Sequence, residues 1–393
     1  MSADHPPSTA LLTDHYELTM LQASLASGTA ERRTVFELFG RRLPEGRRYG
    51  VVAGVCRALD ALERFRFDEP TLARLARWRF TGDVWGYAEG ETYVPGSPLL
   101  VVEAPFAEAV LLETLLLSIY NHDSAIASAA SRMTRAAGGR ACIEMGSRRT
   151  HEEAAVAAAR AAYVAGFAGS SNLAARQRYG VPTTGTSAHA FTLLHDSETD
   201  AFRAQVDSLG AGTTLLVDTY DVAEAVRLAV EVAGDDLGAV RLDSGDLADL
   251  AHQVRAQLDR LGADRTRIVV TSDLDEHAIA ALGSAPVDSY GVGTQLVTGS
   301  GHPTVGLVYK LVAREGADGE LVGVAKRSTA KESWPGRHWA RRRHDATGSA
   351  TAEVVGTGTP PPPADGEQDL LVPLVRSGEV VGREPLEAAR ERH

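Results

Sequence analysis

Thr213-Thr-Leu-Leu-Val-Asp-Thr-Tyr-Asp221, Ala239-Val-Arg-Leu-Asp-Ser-Gly-Asp246 and Arg267-Ile-Val-Val-Thr-Ser-Asp273 repeat one pattern. A short apolar run ends in a polar residue and passes straight into an Ala/Leu-rich stretch. Short Val/Ile/Thr runs alternating with Ala/Leu-rich helices are the pattern that builds parallel sheets through βαβ units. Asp221 and Asp246 stand where N-caps belong, ahead of helices carrying Val222 to Val232 and running through Leu261; a third helix runs through Ala281. The strand ends Asp218, Asp243 and Asp273 are about 25 and 30 residues apart, which suits the βα units of a barrel. An open doubly wound sheet would space them similarly, but no Gly-x-Gly-x-x-Gly follows an early strand, so the barrel is favoured.

Outward from this array the texture changes. The first hundred residues mix strand-like runs such as Thr34 to Phe39 with helical stretches such as Gly54 to Phe65, and strand-like pieces return after about 310. The expected fold is therefore α/β: an irregular TIM-like barrel over 136–310, with a second, α+β domain built from 1–135 and 311–393. Leu370 to Glu379 reads as a strand returning to that second domain, and Thr357 to Gly366, with Pro360 to Pro363, as a surface loop or disordered connection.

Composition excludes several classes. The chain has 393 residues, 44% apolar and 23% charged, with net charge 40 − 52 = −12. Nucleic-acid binding draws affinity from Lys and Arg, so no nucleic-acid partner is expected; the one cluster, Arg337 to Arg343, reads as a solvated face or a rim for an anionic substrate. Cys56 and Cys142 form no disulfide framework and no zinc spacing. Met1-Ser-Ala-Asp-His-Pro-Pro7 does not read as a signal peptide, and no apolar run reaches the ~18 residues of a spanning helix, so a cytoplasmic protein without membrane contact is expected.

Ligands of parallel α/β folds gather at the carboxyl ends of strands, and four constellations fall there. In Gly185-Thr-Ser-Ala-His189 a histidine stands where a strand hands over to a loop, able to act as nucleophile, proton carrier or phosphate acceptor, although a lone histidine is more often a satisfied core residue. Arg241 offers a planar fork to an anion and Asp243 can accept from a vicinal diol, while Asp246 reads first as a helix cap. The bare backbone of Gly291 and Gly293, with the Thr294 hydroxyl, suits a phosphate. Gly146-Ser-Arg-Arg149 sets two cations before an Ala-rich helix. Near the N-terminus, Leu12 to Met20 has a capping-box look at Thr13 and Glu17, and Tyr16 there could offer an aromatic face to a flat ligand.

Taken together the segments resemble the nicotinate phosphoribosyltransferase family over most of the chain. The resemblance rests on Thr13 to Met20, Phe36-Glu-Leu-Phe39 with Arg42-Leu-Pro44, Arg148-Arg149, Ala165 to Asn172, Gly185 to His189, Arg241 to Asp246, Gly291 to Thr298, and Lys331 with Pro335-Gly-Arg337. It implies that nicotinate and phosphoribosyl pyrophosphate give nicotinate mononucleotide and pyrophosphate, driven by ATP hydrolysis with Mg²⁺. It further implies that His189 is the phosphorylated residue, that Tyr16 and Thr186 contact nicotinate, and that Arg148 and Arg241 form the cationic side. Gly291, Gly293 and Thr294 would meet the ribose phosphate, Asp243 would hold ribose hydroxyls, and a homodimer would share its active sites. The nicotinamide-using sibling carries an aspartate where Ser171 stands; a carboxylate there would repel nicotinate, so the acid is the expected substrate. A non-catalytic barrel that binds a phosphorylated metabolite is the rival from another class, and the Arg241/Asp243 pair with His189 argues against it.

Overall fold

The structure, a computed structural model, describes residues 9, 12–64, 78–326 and 334–393, so Phe65 and Lys331 lie outside the described residues. The chain forms two compact units, Met1–Ala125 with Thr304–His393, and Ile126–Pro303. Helix Glu113–Ala137 runs through the first boundary, and an unbroken helical run leaves no sequence signal there for a division at 135 or at 125.

In the first unit Arg33–Gly40 lies between Leu307–Glu315 and Pro98–Pro105 in a seven-stranded antiparallel sheet. Phe36 stacks on Tyr309 at 4.8 Å between ring centroids and belongs to the main core. The expected returning strand forms as Leu371–Arg376 and pairs with Asp83–Tyr87. Helix His15–Ser27 is capped by Asp14, which accepts from Tyr16 N, and not by Thr13. The Thr13 hydroxyl instead donates to Glu17, with Leu111 O a second acceptor 3.0 Å away.

Only part of the arginine cluster is a solvated face: Arg343 is exposed, whereas the arginines before it turn inward. Strand His338–His344 pairs with Ala350–Thr357 and Glu367–Asp369, and alternation along it turns Arg341 toward Asp369 and Glu367, and Arg342 toward Glu91 and Glu353. Arg341 and Arg342 are buried. Pro360 to Pro363 fall in an exposed loop between the last two of these strands.

The second unit holds six parallel strands: β1 Ala141–Glu144, β2 Gly169–Ser170, β3 Thr214–Leu216, β4 Ala239–Leu242, β5 Arg267–Ser272 and β6 Ser289–Val292. Their order is β2-β1-β6-β5-β4-β3, so the first strand pairs with the last, as barrel closure requires. The ring opens between β2 and β3, where Thr183 makes only an isolated parallel bridge to Ser170. Pro182 supplies no N–H to a ladder, which helps keep Val181 to Thr184 from extending into a strand.

Helices cover the sheet with apolar stripes. Ala251, Val254 and Leu258 recur at helical spacing on Leu247–Arg260, and Ala225, Val226 and Ala229 on Val222–Ala233. Val240, Leu242, Val270 and Val292 beneath them are fully buried, each contributing about 1.5–3 kcal/mol. Asp221 and Asp246 cap their helices as expected, accepting from Glu224 N at 2.8 Å and Asp249 N at 3.2 Å. No helix among the described residues is long and apolar enough to cross a membrane.

Candidate active site

The short loops after β1, β4, β5 and β6 enclose a cavity of about 280 Å³ at the carboxyl ends of the strands. Arg148, Arg149 and Arg241 line it as cations, Asp243 and Asp273 as acids, and Gly291, Gly293 and Thr294 form one wall. Arg148 and Arg149 make no ion pair among the described residues, so both remain free for an anion.

Arg241 is held from two sides. One guanidinium nitrogen donates to the Thr186 hydroxyl, the other lies 3.9 Å from Asp243 Oδ1, and Nε is buried without a hydrogen-bond partner among the described residues. Burial lowers its pKa, with Asp243 and Asp218 opposing and Arg148 adding to the shift. A partly desolvated guanidinium with an unused donor is suited to an entering anion.

Asp243 and His189 extend this constellation. Thr271 donates its hydroxyl to Asp243 Oδ1, leaving Oδ2 toward the histidine. His189 opens helix His189–Leu194 and is not in an irregular turn, since Gly185 to Ala188 turn the chain into that helix. Its Nδ1 lies 3.1 Å from Thr219 Oγ1, and its Nε2 lies 4.0 Å from both Asp218 Oδ1 and Asp243 Oδ2. The imidazole is 40% exposed, so it is reachable from solvent.

The expected residues fall into two groups. His189, Thr186, Arg241 and Asp243 are linked side chain to side chain, and Arg148, Gly291, Gly293 and Thr294 share the cavity with Arg241 and Asp243. His189 and Thr186 stand beside that cavity without lining it. Tyr16 belongs to the other unit, on helix His15–Ser27, half-exposed, with its hydroxyl pushed up by burial and by the carboxylates of Glu113 and Glu17. The two glycines also differ in purpose. A Cβ on Gly291 would lie 2.5 Å from Thr271 Cγ2, whereas on Gly293 the nearest atom is Met145 O at 3.5 Å. Gly291 is thus required by packing, and Gly293 is the bare backbone facing the cavity.

Comparison with known proteins agrees with this arrangement. The nicotinate phosphoribosyltransferase N-terminal domain family matches residues 11–121, and the nicotinate phosphoribosyltransferase family matches residues 141–338. A nicotinate phosphoribosyltransferase of Mycobacterium tuberculosis is 60% identical over 99% of this chain and 90% of its own length. The chain belongs to the nicotinate phosphoribosyltransferase family. A Bacillus subtilis nicotinate phosphoribosyltransferase is 39% identical over 84% of this chain and 72% of its own. The crystal structure of human nicotinic acid phosphoribosyltransferase superposes with a TM-score of 0.82 at 26% identity, covering 97% of this chain and 92% of that one. The chain is accordingly an enzyme of this type, acting in NAD biosynthesis.

Within this nicotinate phosphoribosyltransferase, sequence reading took Asp218 only as a strand end. The structure gives it a larger part: its Oδ2 accepts from Asp243 N at 2.9 Å and from Ser244 Oγ at 2.7 Å, and its buried Oδ1 has no hydrogen-bond partner among the described residues. The available signal was the recurrence itself, because aspartates ending two neighbouring strands stand side by side. Thr219, which holds the His189 ring, carried no signal of its own.

Proposed function

We propose that this enzyme transfers the phosphoribosyl group of phosphoribosyl pyrophosphate to nicotinate, that ATP drives the transfer through phosphorylation of His189, and that the working form is a homodimer with shared sites. The observation that carries the reading is His189 Nε2 placed 4.0 Å from two strand-end carboxylates that are linked, through Asp243 and Arg241, to a cationic cavity.

In the transfer, the ring nitrogen of nicotinate bonds to C1 of the ribose as the bond from C1 to pyrophosphate oxygen breaks, and the electron pair leaves on pyrophosphate. C1 acquires oxocarbenium character, so the task of the protein is to fix the sugar and stabilise the departing anion. Arg148, Arg149 and Arg241 take the pyrophosphate side. Asp243 accepts from ribose hydroxyls, and the backbone at Gly293 with the Thr294 hydroxyl receives the 5′-phosphate. Ser171 donates to the nicotinate carboxylate and Tyr16 offers its ring to the base.

Phosphorylation uses the nitrogen that Thr219 leaves free. His189 Nε2 attacks the terminal phosphorus of ATP, ADP departs, and water later hydrolyses the N–P bond. A phosphoryl group of about −2 charge beside Asp218 and Asp243 is repelled by roughly 1–4 kcal/mol per unit-charge pair at 4 Å. That repulsion makes the phosphorylated state sensitive to whichever cationic partner or substrate enters next. The residues present fit a divalent cation: Asp218 Oδ1 is buried and unpartnered, the Asp243 carboxylate is half-open, and two carboxylates with substrate phosphates are a usual Mg²⁺ donor set. Bound there, Mg²⁺ would neutralise phosphate charge. Leu193 and Leu194, on the His189 helix, and Tyr220 next to Thr219 are exposed, an apolar surface that a second copy would cover.

The test is pyrophosphate release by the purified protein with nicotinate, nicotinamide or no base, each with and without ATP. Release that requires nicotinate and rises with ATP is expected. Release with nicotinamide alone would move the substrate assignment to the amide, and no release with any base would overturn the reading.

A further inference from the structure

Glu144 ends β1 at a position whose burial pattern calls for an apolar side chain, and it is completely buried. A carboxyl is kept at such a place only when hydrogen bonds replace the water it has lost. Here the replacement reaches across the strand ends. Gly146 N donates to Oε1 and the Ser170 hydroxyl donates to Oε2 at 2.5 Å, while Ser171 N donates to the Glu144 carbonyl at 2.8 Å.

Ser170 Oγ accepts from Asn172 N at 2.8 Å and donates its one proton to Glu144, whose other oxygen faces an N–H. Both carboxylate oxygens therefore act as acceptors. Burial holds the carboxyl above the usual carboxylate range, and the bonds from Ser170 and Gly146 oppose part of that shift. A third strand end joins the group, because a Cβ on Gly146 would lie 3.0 Å from Gly293 O and 3.1 Å from Glu144 Oε1. Asn172 Nδ2 closes the circle by donating to Ser147 Oγ at 3.0 Å.

We propose that Glu144 is a positioning residue that, through Ser170, holds the loop bearing Ser171 in place and so fixes the preference for nicotinate over nicotinamide. The inference rests on the reading above that Ser171 donates to the nicotinate carboxylate. Glu144 touches no substrate itself; it acts through Gly146 and Ser170. An amide in its place would present an NH₂ to a group that needs an acceptor, loosening one of the two ties without changing side-chain size.

The test compares Glu144→Gln, Ser170→Ala and the double variant with the parent enzyme in the full chain. In Glu144→Gln the KM for nicotinate is expected to rise about tenfold or more, and the kcat/KM ratio of nicotinate to nicotinamide to fall by a similar factor. The KM for phosphoribosyl pyrophosphate should stay within about twofold. Ser170→Ala should move the same quantities in the same direction, and the double variant should be no worse than Glu144→Gln, since both break one chain of bonds. Should Glu144→Gln fail to fold, Ser170→Ala carries the test. Folded variants that keep the parent KM for nicotinate and the parent base preference would overturn the proposal, as would equal changes in both substrates' KM. Absence of nicotinate-dependent release in the parent enzyme would instead count against the reading on which it rests.

Discussion

An imidazole whose Nδ1 is engaged by Thr219 and whose Nε2 faces two carboxylates has one nitrogen left for covalent chemistry. Coupling and transfer are then separable at this residue. Replacing His189 by Ala should abolish stimulation by ATP and leave a slow transfer that ATP does not affect, read as pyrophosphate release with and without ATP. Undiminished stimulation in that variant would remove His189 from the coupling. The residues that carry this constellation differ in how legible they were. His189, Arg241 and Asp243 could be singled out because ligands gather at strand ends, and each has chemistry to offer there. Asp218 and Glu144 could not, because a single acid beside a strand reads equally well as a solvated end. Their meaning comes from neighbours about 25 residues away in the chain.

At the level of elements, β3, β4 and β5 and the helices behind them were legible because parallel strands and amphipathic helices impose strong periods. The stretch from Ser170 to Leu194 was not, since an isolated bridge and helices of seven and six residues leave no period to detect. On β6 the glycines give a sharp contrast. Gly291→Ala would drive a methyl into Thr271, costing about 1–3 kcal/mol by overpacking and disturbing the bond from Thr271 to Asp243. Gly293→Ala meets only ordinary contacts and should leave stability within about 0.5 kcal/mol. Its KM for phosphoribosyl pyrophosphate should nonetheless rise about tenfold, because the methyl holds the phosphate off the backbone amide, an effect the size of one lost hydrogen bond to an anion. Denaturant unfolding beside steady-state kinetics separates the two cases.

A pH dependence belongs to the junction of helices Glu198–Leu209 and Val222–Ala233. Burial, then the nearby charges of Glu224 and Asp221, push the Glu198 carboxyl up to about 7. Its pKa in the unfolded chain is about 4.3, so the folded state keeps a proton that the unfolded state releases. That group's contribution is full below about pH 4, is lost as pH rises toward 7, and stays lost above it. Glu198→Gln should therefore match the parent near pH 4.5 and be more stable at pH 8 by about 1 kcal/mol, less than the full shift because solvent screens part of the carboxyl. Urea melts at the two pH values measure the difference, and an equal gain at both would show that the carboxyl does not titrate between them.

For the whole molecule, the division of labour between the two units sets the last question. Tyr16 lies in one unit of the chain, and His189, Arg241 and Asp243 in the other. If a homodimer builds each site from the Tyr16 of one copy and the His189 of its partner, two defective chains can repair each other. A mixture of Tyr16→Ala and His189→Ala chains, unfolded and refolded together, forms mixed dimers in half of the assemblies. In each mixed dimer one site receives both defects and the other receives none. Activity coupled to ATP should then return to about a quarter of the parent value, half the dimers with one of two sites intact, provided assembly follows closed two-fold symmetry. Refolded alone, Tyr16→Ala should stay weak toward nicotinate and His189→Ala should stay uncoupled from ATP. A site built within one chain gives the opposite result, because every site in every dimer then keeps one defect and mixing restores nothing.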